Sequence, residues 1–186
     1  MTFTIADILI FVILTVLVIY YSRRNIFHVT SHGFYRFLSW ECIVVLFTFN
    51  YRFWINDPLS VFQVLSWLTL ILSGITVIAG VIKMKKAGSA QSSRDGDELY
   101  TFEKTTELVD SGIFRYIRHP LYASLLYLTW GIFFKRPGVV LLIAAVLSSV
   151  FLYITASIDE KECSIFFGDR YREYMKRSKR FVPFVF

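Results

Sequence analysis

Long apolar segments constrain the fold of this chain more than any other feature. Hydrophobic residues make up 55% of its 186 residues and the mean hydropathy is +0.54, which is too apolar for an ordinary soluble domain. About 20 apolar residues in a helix cross a hydrocarbon core, because a helix satisfies its own backbone hydrogen bonds there. We therefore predict an all-α polytopic membrane protein with five transmembrane helices, over about residues 5–22, 34–53, 59–82, 120–134 and 139–158. Gly74 and Gly80 in the third of these segments allow close contact with another helix.

The distribution of positive charge predicts the orientation of these helices. With five spans, the first loop, the third loop and the C-terminal segment share one side and hold 17 of the 20 lysines and arginines. Cytoplasmic loops carry such an excess of positive charge. We therefore expect the N-terminus outside, and the loop 87–118 and the C-terminus in the cytoplasm. We interpret 5–22 as a span rather than a secretion signal, because no Lys or Arg precedes it and no cleavage site follows it.

Length and rare residues limit the other function classes. The chain suggests a single domain, with three spans in 1–86 and a cofactor-binding loop, two spans and a cytoplasmic tail in 87–186. The net charge of +6 fits anionic lipid headgroups, given where the charges lie, and no nucleic acid partner is expected. Cys42 and Cys163 suggest no disulfide framework, and three histidines without a metal-binding spacing predict no metal site.

The connection between the third and fourth apolar segments is unusually long. Residues 88–96 are polar and small, which predicts a flexible stretch. Residues 99–109 mix threonine, aromatic and charged side chains, which predicts an ordered but irregular segment. A connection of this length in a small membrane protein is usually functional or disordered.

The stretch from Gly112 to Ala123 is the strongest candidate for function. It is basic and aromatic, and it enters the fourth apolar segment through His119-Pro120. Proline suits the first turn of a helix, and the residue before a proline is kept out of the helical region. We therefore expect Arg118 and His119 at the N-terminal start of a helix, where free N–H groups and partial positive charge favour an anion.

A group of carboxylates is expected to face this helix start. The short hairpin 135–138 makes the fourth and fifth segments antiparallel neighbours, so Asp159 and Glu160 should return close to His119. Cations facing carboxylates suit the two ends of a zwitterion, with its carboxylate at Arg118 and its ammonium at Glu160. The alternative from the residues alone is that these are interface charges that contact lipid headgroups.

The fifth helix is expected to leave the membrane and to be followed by a short helix. We predict that it continues to Phe167 and ends at Gly168, and that Asp169 caps the last helix. Tyr171 and Tyr174 share one face of that helix at the i, i+3 spacing. Both tyrosines are interpreted as aromatics of the membrane interface.

Four motifs now stand in a fixed order along the chain: Arg-His-Pro-x-Tyr at 118–122, Asp159-Glu160, Phe-Gly-x-x-Tyr-x-x-Tyr at 167–174 and Arg-Phe-x-Pro at 180–183. This combination resembles the isoprenylcysteine carboxyl methyltransferase and phospholipid methyltransferase superfamily over about residues 107–183. Members of that superfamily are integral membrane enzymes that use S-adenosylmethionine. The first three apolar segments match it only as hydrophobic helices.

The resemblance assigns roles by position. It implies that Arg180 lies near the reacting groups, so that Arg180 and Glu160 are the candidate catalytic residues. Asp159 stands where the family's acidic pair more often has Glu, which makes Glu160 the preferred partner for the ammonium group of the cofactor. The polar stretch 89–98 is longer than usual in the family. The implied cofactor contacts are Leu108, Val109, Tyr116, Arg118, His119, Tyr122, Asp159 and Glu160.

The resemblance implies transfer of a methyl group from S-adenosylmethionine to a lipophilic or lipid-modified substrate at a membrane. Carboxyl O-methylation of an isoprenylcysteine-like group is the first hypothesis, because a carboxylate is ionised at pH 7 and needs no general base. A phospholipid amine would need a base, and a small thiol would need nearby positive charge to ionise. A non-catalytic membrane scaffold that retains the motif is the alternative from another class. The oligomeric state is left open.

Overall fold

Six helices account for most of the part of the chain that the structure describes. The computed structural model describes residues 4–87 and 107–184, and within these ranges it has no β-strand, only an isolated bridge between Ile117 and Lys179. The all-α prediction is confirmed. The stretch 88–96 and most of 99–109, with their predicted characters, lie outside the described residues. The helices are α1 (Ile5–Ser22), α2 (His32–Asn50), α3 (Val61–Ala87), α4 (Pro120–Lys135), α5 (Val139–Phe167) and α6 (Asp169–Arg177).

Three helices, α1, α3 and α5, are long and apolar enough to cross a membrane, judged among the described residues. Of the five predicted spans, these three are therefore candidates by length and composition. With 16 residues, α4 is about 24 Å long at the rise of an α-helix. This is shorter than the roughly 30 Å of a hydrocarbon core. In α2 the 19 residues include Arg36 and Glu41, which lower its apolar character.

The helices pack as two close pairs. α3 packs mainly on α4, α2 packs mainly on α5, and α1 lies on α2. Hydroxyl groups join both pairs: Ser66 Oγ donates to the Gly131 carbonyl at 2.6 Å, and Ser39 Oγ lies 2.9 Å from Ser148 Oγ. Such contacts satisfy polar groups that no water reaches in the membrane.

Glycines bring α3 and α4 close together. A Cβ at Gly80 would lie 3.3 Å from Pro120 Cγ, and a Cβ at Gly131 would lie 2.8 Å from the side chain of Leu70. At Gly74 nothing lies within 4 Å. The predicted close contact is therefore confirmed at Gly80 and wrong at Gly74, and the Gly80 contact fixes α3 against the start of α4.

The end of α5 follows the prediction. The helix continues to Phe167, beyond the uncharged run that stops at Ile158, and Gly168 ends it with a φ of 61°. The predicted cap at Asp169 is wrong, because Gly168 holds the cap position of α6 and no side chain caps it. Asp169 instead accepts a hydrogen bond from Arg172 at 3.1 Å.

Candidate functional site

The His-Pro step lies at the start of α4, as predicted. Pro120 is the first helical residue, and His119 before it has a φ of −121°. The side chain of His119 is buried, and its ring stacks on Tyr122 with 5.4 Å between the ring centroids. His119 is therefore a fixed interior group and not an interface residue.

The hairpin between α4 and α5 brings the acidic end of α5 to this histidine, outside the apolar run. His119 Nδ1 lies 3.4 Å from Asp159 Oδ2, and His119 Nε2 lies 3.4 Å from Glu160 Oε1. Burial alone would lower the pKa of His119, but the two carboxylates outweigh it and raise that pKa above its usual value. The two nearby carboxylates therefore favour a protonated His119, although its Nε2 makes no hydrogen bond with the described residues.

Three cationic groups surround the carboxylate of Glu160. Arg118 Nε donates to Oε1 at 2.9 Å, Arg180 Nε donates to the same oxygen at 3.1 Å, and the Arg180 fork also reaches Oε2. Burial tends to raise the pKa of Glu160, but His119, Arg180 and Arg118 outweigh it and lower that pKa to about 2. Glu160 is therefore ionised, and its oxygens are already engaged by protein donors.

The backbone of the C-terminal tail runs beside the Arg-His-Pro stretch. Arg118 N donates to the Lys179 carbonyl at 2.7 Å, and His119 N donates to the Arg180 carbonyl at 3.2 Å. The Arg118 guanidinium also donates to the Ser178 carbonyl. These bonds place Arg180 next to Glu160, although the two residues come from separate motifs.

A cavity of about 100 Å³ opens in front of His119. It lies between the ends of α3 and α5, the start of α4 and the inner face of α6. Aromatic and apolar side chains dominate its wall. Its lining consists of Met84, Leu108, Val109, Phe114, Arg118, His119, Pro120, Leu121, Tyr122, Asp159, Cys163, Phe167, Tyr171 and Tyr174.

Within the acidic pair, Asp159 lines the cavity and Glu160 does not. Asp159 Oδ1 accepts from the Cys163 thiol at 3.5 Å, and Oδ2 faces His119. The resemblance favoured Glu160 as the partner of a ligand ammonium. In the structure Glu160 binds Arg118 and Arg180, whereas Asp159 lines the cavity.

Six of the predicted cofactor contacts belong to the cavity wall, and three of the predicted site residues do not. Glu160 and Arg180 do not line the cavity. Tyr116 is 47% exposed, and its ring lies 5.9 Å from that of Phe184. Tyr116 does not line this cavity, because the 3-10 turn Gly112–Arg115 places Phe114 in the wall instead. The six that line the wall are Leu108, Val109, Arg118, His119, Tyr122 and Asp159.

The sequence reasoning missed most of the aromatic wall. Tyr171 and Tyr174 are only 3% and 2% exposed, so their interpretation as interface aromatics is wrong. Tyr174 Oη donates to the Phe114 carbonyl at 2.6 Å, and burial raises the pKa of both phenols, which keeps them neutral. The signal was available, because these tyrosines form the main apolar face of a short helix that is otherwise charged.

Comparison with known proteins gives consistent matches. The Phospholipid methyltransferase family model matches residues 61–170, from α3 into α6. The chain is 28% identical over 71 residues to methanethiol S-methyltransferase 1 of Bradyrhizobium diazoefficiens, a match that covers 38% of this chain and 24% of that protein. It is 28% identical over 125 residues to protein-S-isoprenylcysteine O-methyltransferase of Xenopus laevis, covering 65% and 42% respectively. No solved structure matches.

The matches span less than half the length of both curated relatives. The family model, by contrast, covers more than half of this chain and includes the helix start at Pro120 and the acidic end of α5. The predicted resemblance is thereby confirmed. The chain belongs to the phospholipid methyltransferase family of membrane methyltransferases.

Proposed function

We propose that the chain is an S-adenosylmethionine-dependent methyltransferase in which α1 to α5 all cross the membrane and residues 1–186 form one domain. The hairpin joins α4 to α5, so a spanning α5 carries α4 through the same layer. The charges of α2 are compatible with a span, since Arg36 is buried and Glu41 accepts a hydrogen bond from Thr15 at 3.1 Å. The charge distribution supports an outer N-terminus, with the cavity and the tail on the cytoplasmic side.

The cavity in front of His119 carries the proposal, because its donor set fits S-adenosylmethionine. Asp159 supplies a carboxylate for the ammonium group, and protonated His119 at the start of α4 suits the carboxylate group. The rings of Tyr122, Phe167 and Tyr171 suit a sulfonium cation and a flat base. When bound, S-adenosylmethionine supplies an electrophilic methyl group. Leu108 and Val109 complete the apolar wall.

Glu160 and Arg180 are proposed to act on the acceptor side of the cavity. Glu160 holds Arg118 and Arg180 together, and Arg180 also donates to Ser157 Oγ at 3.2 Å and lies 4.5 Å from the ring centroid of Tyr153. These contacts fix a positive charge beside the site. In this proposal Arg180 orients an anionic acceptor, and Glu160 positions Arg180.

The charges at the site support an acceptor that is already ionised. Glu160 has a pKa of about 2 and the pKa of His119 is raised, so neither group readily takes a proton near neutral pH. A carboxylate needs no base, and its charge cancels when it takes a methyl group from a sulfonium. We therefore propose carboxyl O-methylation of an isoprenylcysteine-like group. The Xenopus laevis relative, matched over 65% of this chain, is named for that reaction.

A small thiol is the second candidate. The arginines near Glu160 would stabilise a thiolate, and the Bradyrhizobium diazoefficiens relative is named for methanethiol S-methylation. A phospholipid amine has less support from the charges at the site, because it must lose a proton and neither Glu160 nor His119 readily accepts one.

Binding of S-adenosylhomocysteine to the purified protein in detergent separates an enzyme from a non-catalytic scaffold. Titration calorimetry is expected to show saturable binding at one site per chain. Absence of binding would refute the methyltransferase proposal and leave the scaffold alternative.

A further inference from the structure

A second histidine–carboxylate pair lies next to the site but outside the cavity lining. His32, the first residue of α2, is 1% exposed, and its Nδ1 lies 3.0 Å and 3.2 Å from the two carboxylate oxygens of Glu162 on α5. The pair joins positions 130 residues apart. It belongs to none of the four motifs in the sequence.

His32 is held firmly at the start of α2. Ser31 caps the helix by accepting a hydrogen bond from Phe34 N at 3.3 Å. The preceding loop packs directly on this turn, since a Cβ at Gly33 would lie 2.6 Å from Cγ of the buried Asn25. The backbone that carries the His32 imidazole is therefore capped and tightly packed where α2 meets α5.

Glu162 lies one turn after Asp159 on the same face of α5. His119 reaches Asp159 from α4, and His32 reaches Glu162 from α2. Burial alone would lower the pKa of His32 and Arg36 acts in the same direction, but Glu162 and Asp159 outweigh both and raise it. Histidines from two different helices, α4 and α2, thus contact this turn of α5.

The pair has a consequence for the cavity because the turn is crowded with negative charge. Asp159, Glu160 and Glu162 stand within four consecutive positions. Glu160 is compensated by Arg118 and Arg180. The His32–Glu162 contact fixes this turn of α5 against the start of α2, so loss of either partner frees the turn, and repulsion among its remaining carboxylates would then displace Asp159.

We propose that His32 is a positioning residue of the methyl-donor site, which through Glu162 fixes the turn of α5 that presents Asp159 to the cavity. This inference rests on the proposed function, in which Asp159 binds the ammonium group of the donor. His32 itself contacts no ligand in this proposal.

The test compares the affinity for S-adenosylhomocysteine of the wild type, His32→Ala, Glu162→Ala and the double variant, by calorimetry on the purified full chain. Each single change is expected to weaken binding roughly tenfold. This is about the contribution of one charge-assisted hydrogen bond, here the bond between Asp159 and the ligand ammonium group. The double variant should bind no more weakly than the single variants, because the pair acts as a unit. His28→Ala alters an exposed histidine of the preceding loop and should bind like the wild type.

His32→Gln keeps a side-chain donor toward Glu162 and is expected to recover part of the lost affinity. If His32→Ala does not fold, His32→Gln is compared with the wild type in its place. If His32→Ala and Glu162→Ala both bind with wild-type affinity and show only a lower unfolding temperature, the inference is overturned. Additive losses in the double variant would do the same. If the wild type itself does not bind S-adenosylhomocysteine, the proposed function fails. If the wild type binds and replacement of His32 leaves the affinity unchanged, only the positioning role is refuted.

Discussion

At the scale of single residues, neighbouring positions in the acidic pair have different tasks. The sequence predicted that Asp159 and Glu160 meet His119, because the hairpin leaves little freedom. It did not predict which carboxylate faces the cavity. Adjacent residues of a helix point about 100° apart, so the choice depends on the rotation of α5, which packing against α2 decides.

Asp159→Asn and Glu160→Gln should therefore have different effects. Asp159→Asn is expected to weaken binding of S-adenosylhomocysteine roughly tenfold with little change in stability, since it removes one ionic contact to the ligand. Glu160→Gln leaves clustered cations uncompensated and should lower the free energy of unfolding by on the order of 3 kcal/mol. Calorimetry and thermal unfolding in the same detergent measure both quantities. Equal effects of the two changes on affinity would contradict the division of roles.

His119 should make stability depend on pH. Its pKa is raised in the folded state from a usual 6.5, so its contribution is fully present below that value and is lost as pH rises through the folded pKa. The difference in unfolding temperature between the wild type and His119→Asn should thus be larger near pH 6 than near pH 9. His32 titrates in both proteins and cancels in the comparison. A difference that stays constant with pH would argue against a charged His119.

At the scale of elements, strong local signals predicted the bounds well. Pro120 marks the start of α4, and Gly168 ends α5 because its positive φ suits glycine. The failures lie where tertiary packing decides. The 3-10 turn before the motif directs Phe114 rather than Tyr116 inward, and the tyrosines of α6 turn to the cavity instead of the membrane interface.

The contact between α3 and α4 should be sensitive to added volume at one glycine and tolerant at another. Gly131→Ala forces the side chain of Leu70 to move, and overpacking of this kind costs about 1–3 kcal/mol. Gly74→Ala meets open space and gains helix propensity, so it should leave stability unchanged or slightly higher. Unfolding temperatures of both variants in detergent check the contrast. Similar temperatures for the two would contradict the close approach at Gly131.

At the scale of the whole molecule, apolar segments and charge asymmetry predicted a helical membrane protein, and the motif order predicted its family. The acceptor was not predictable in the same way. The spans are generic apolar helices, and the chemistry of the acceptor depends on which protonation states the folded site favours. Those states arise from contacts between distant segments, such as Arg180 with Glu160, that only the fold brings together.

The most direct test of the central claim follows the methyl group. Membranes that contain the protein are incubated with methyl-labelled S-adenosylmethionine and an isoprenylcysteine-type carboxylate, and the product is treated with base. We predict a wild-type product that releases its label as volatile methanol, and little product from Asp159→Asn membranes. A base-stable label would contradict carboxyl methylation and indicate an amine or thiol acceptor, and absence of any transfer would contradict a methyltransferase acting on this substrate class.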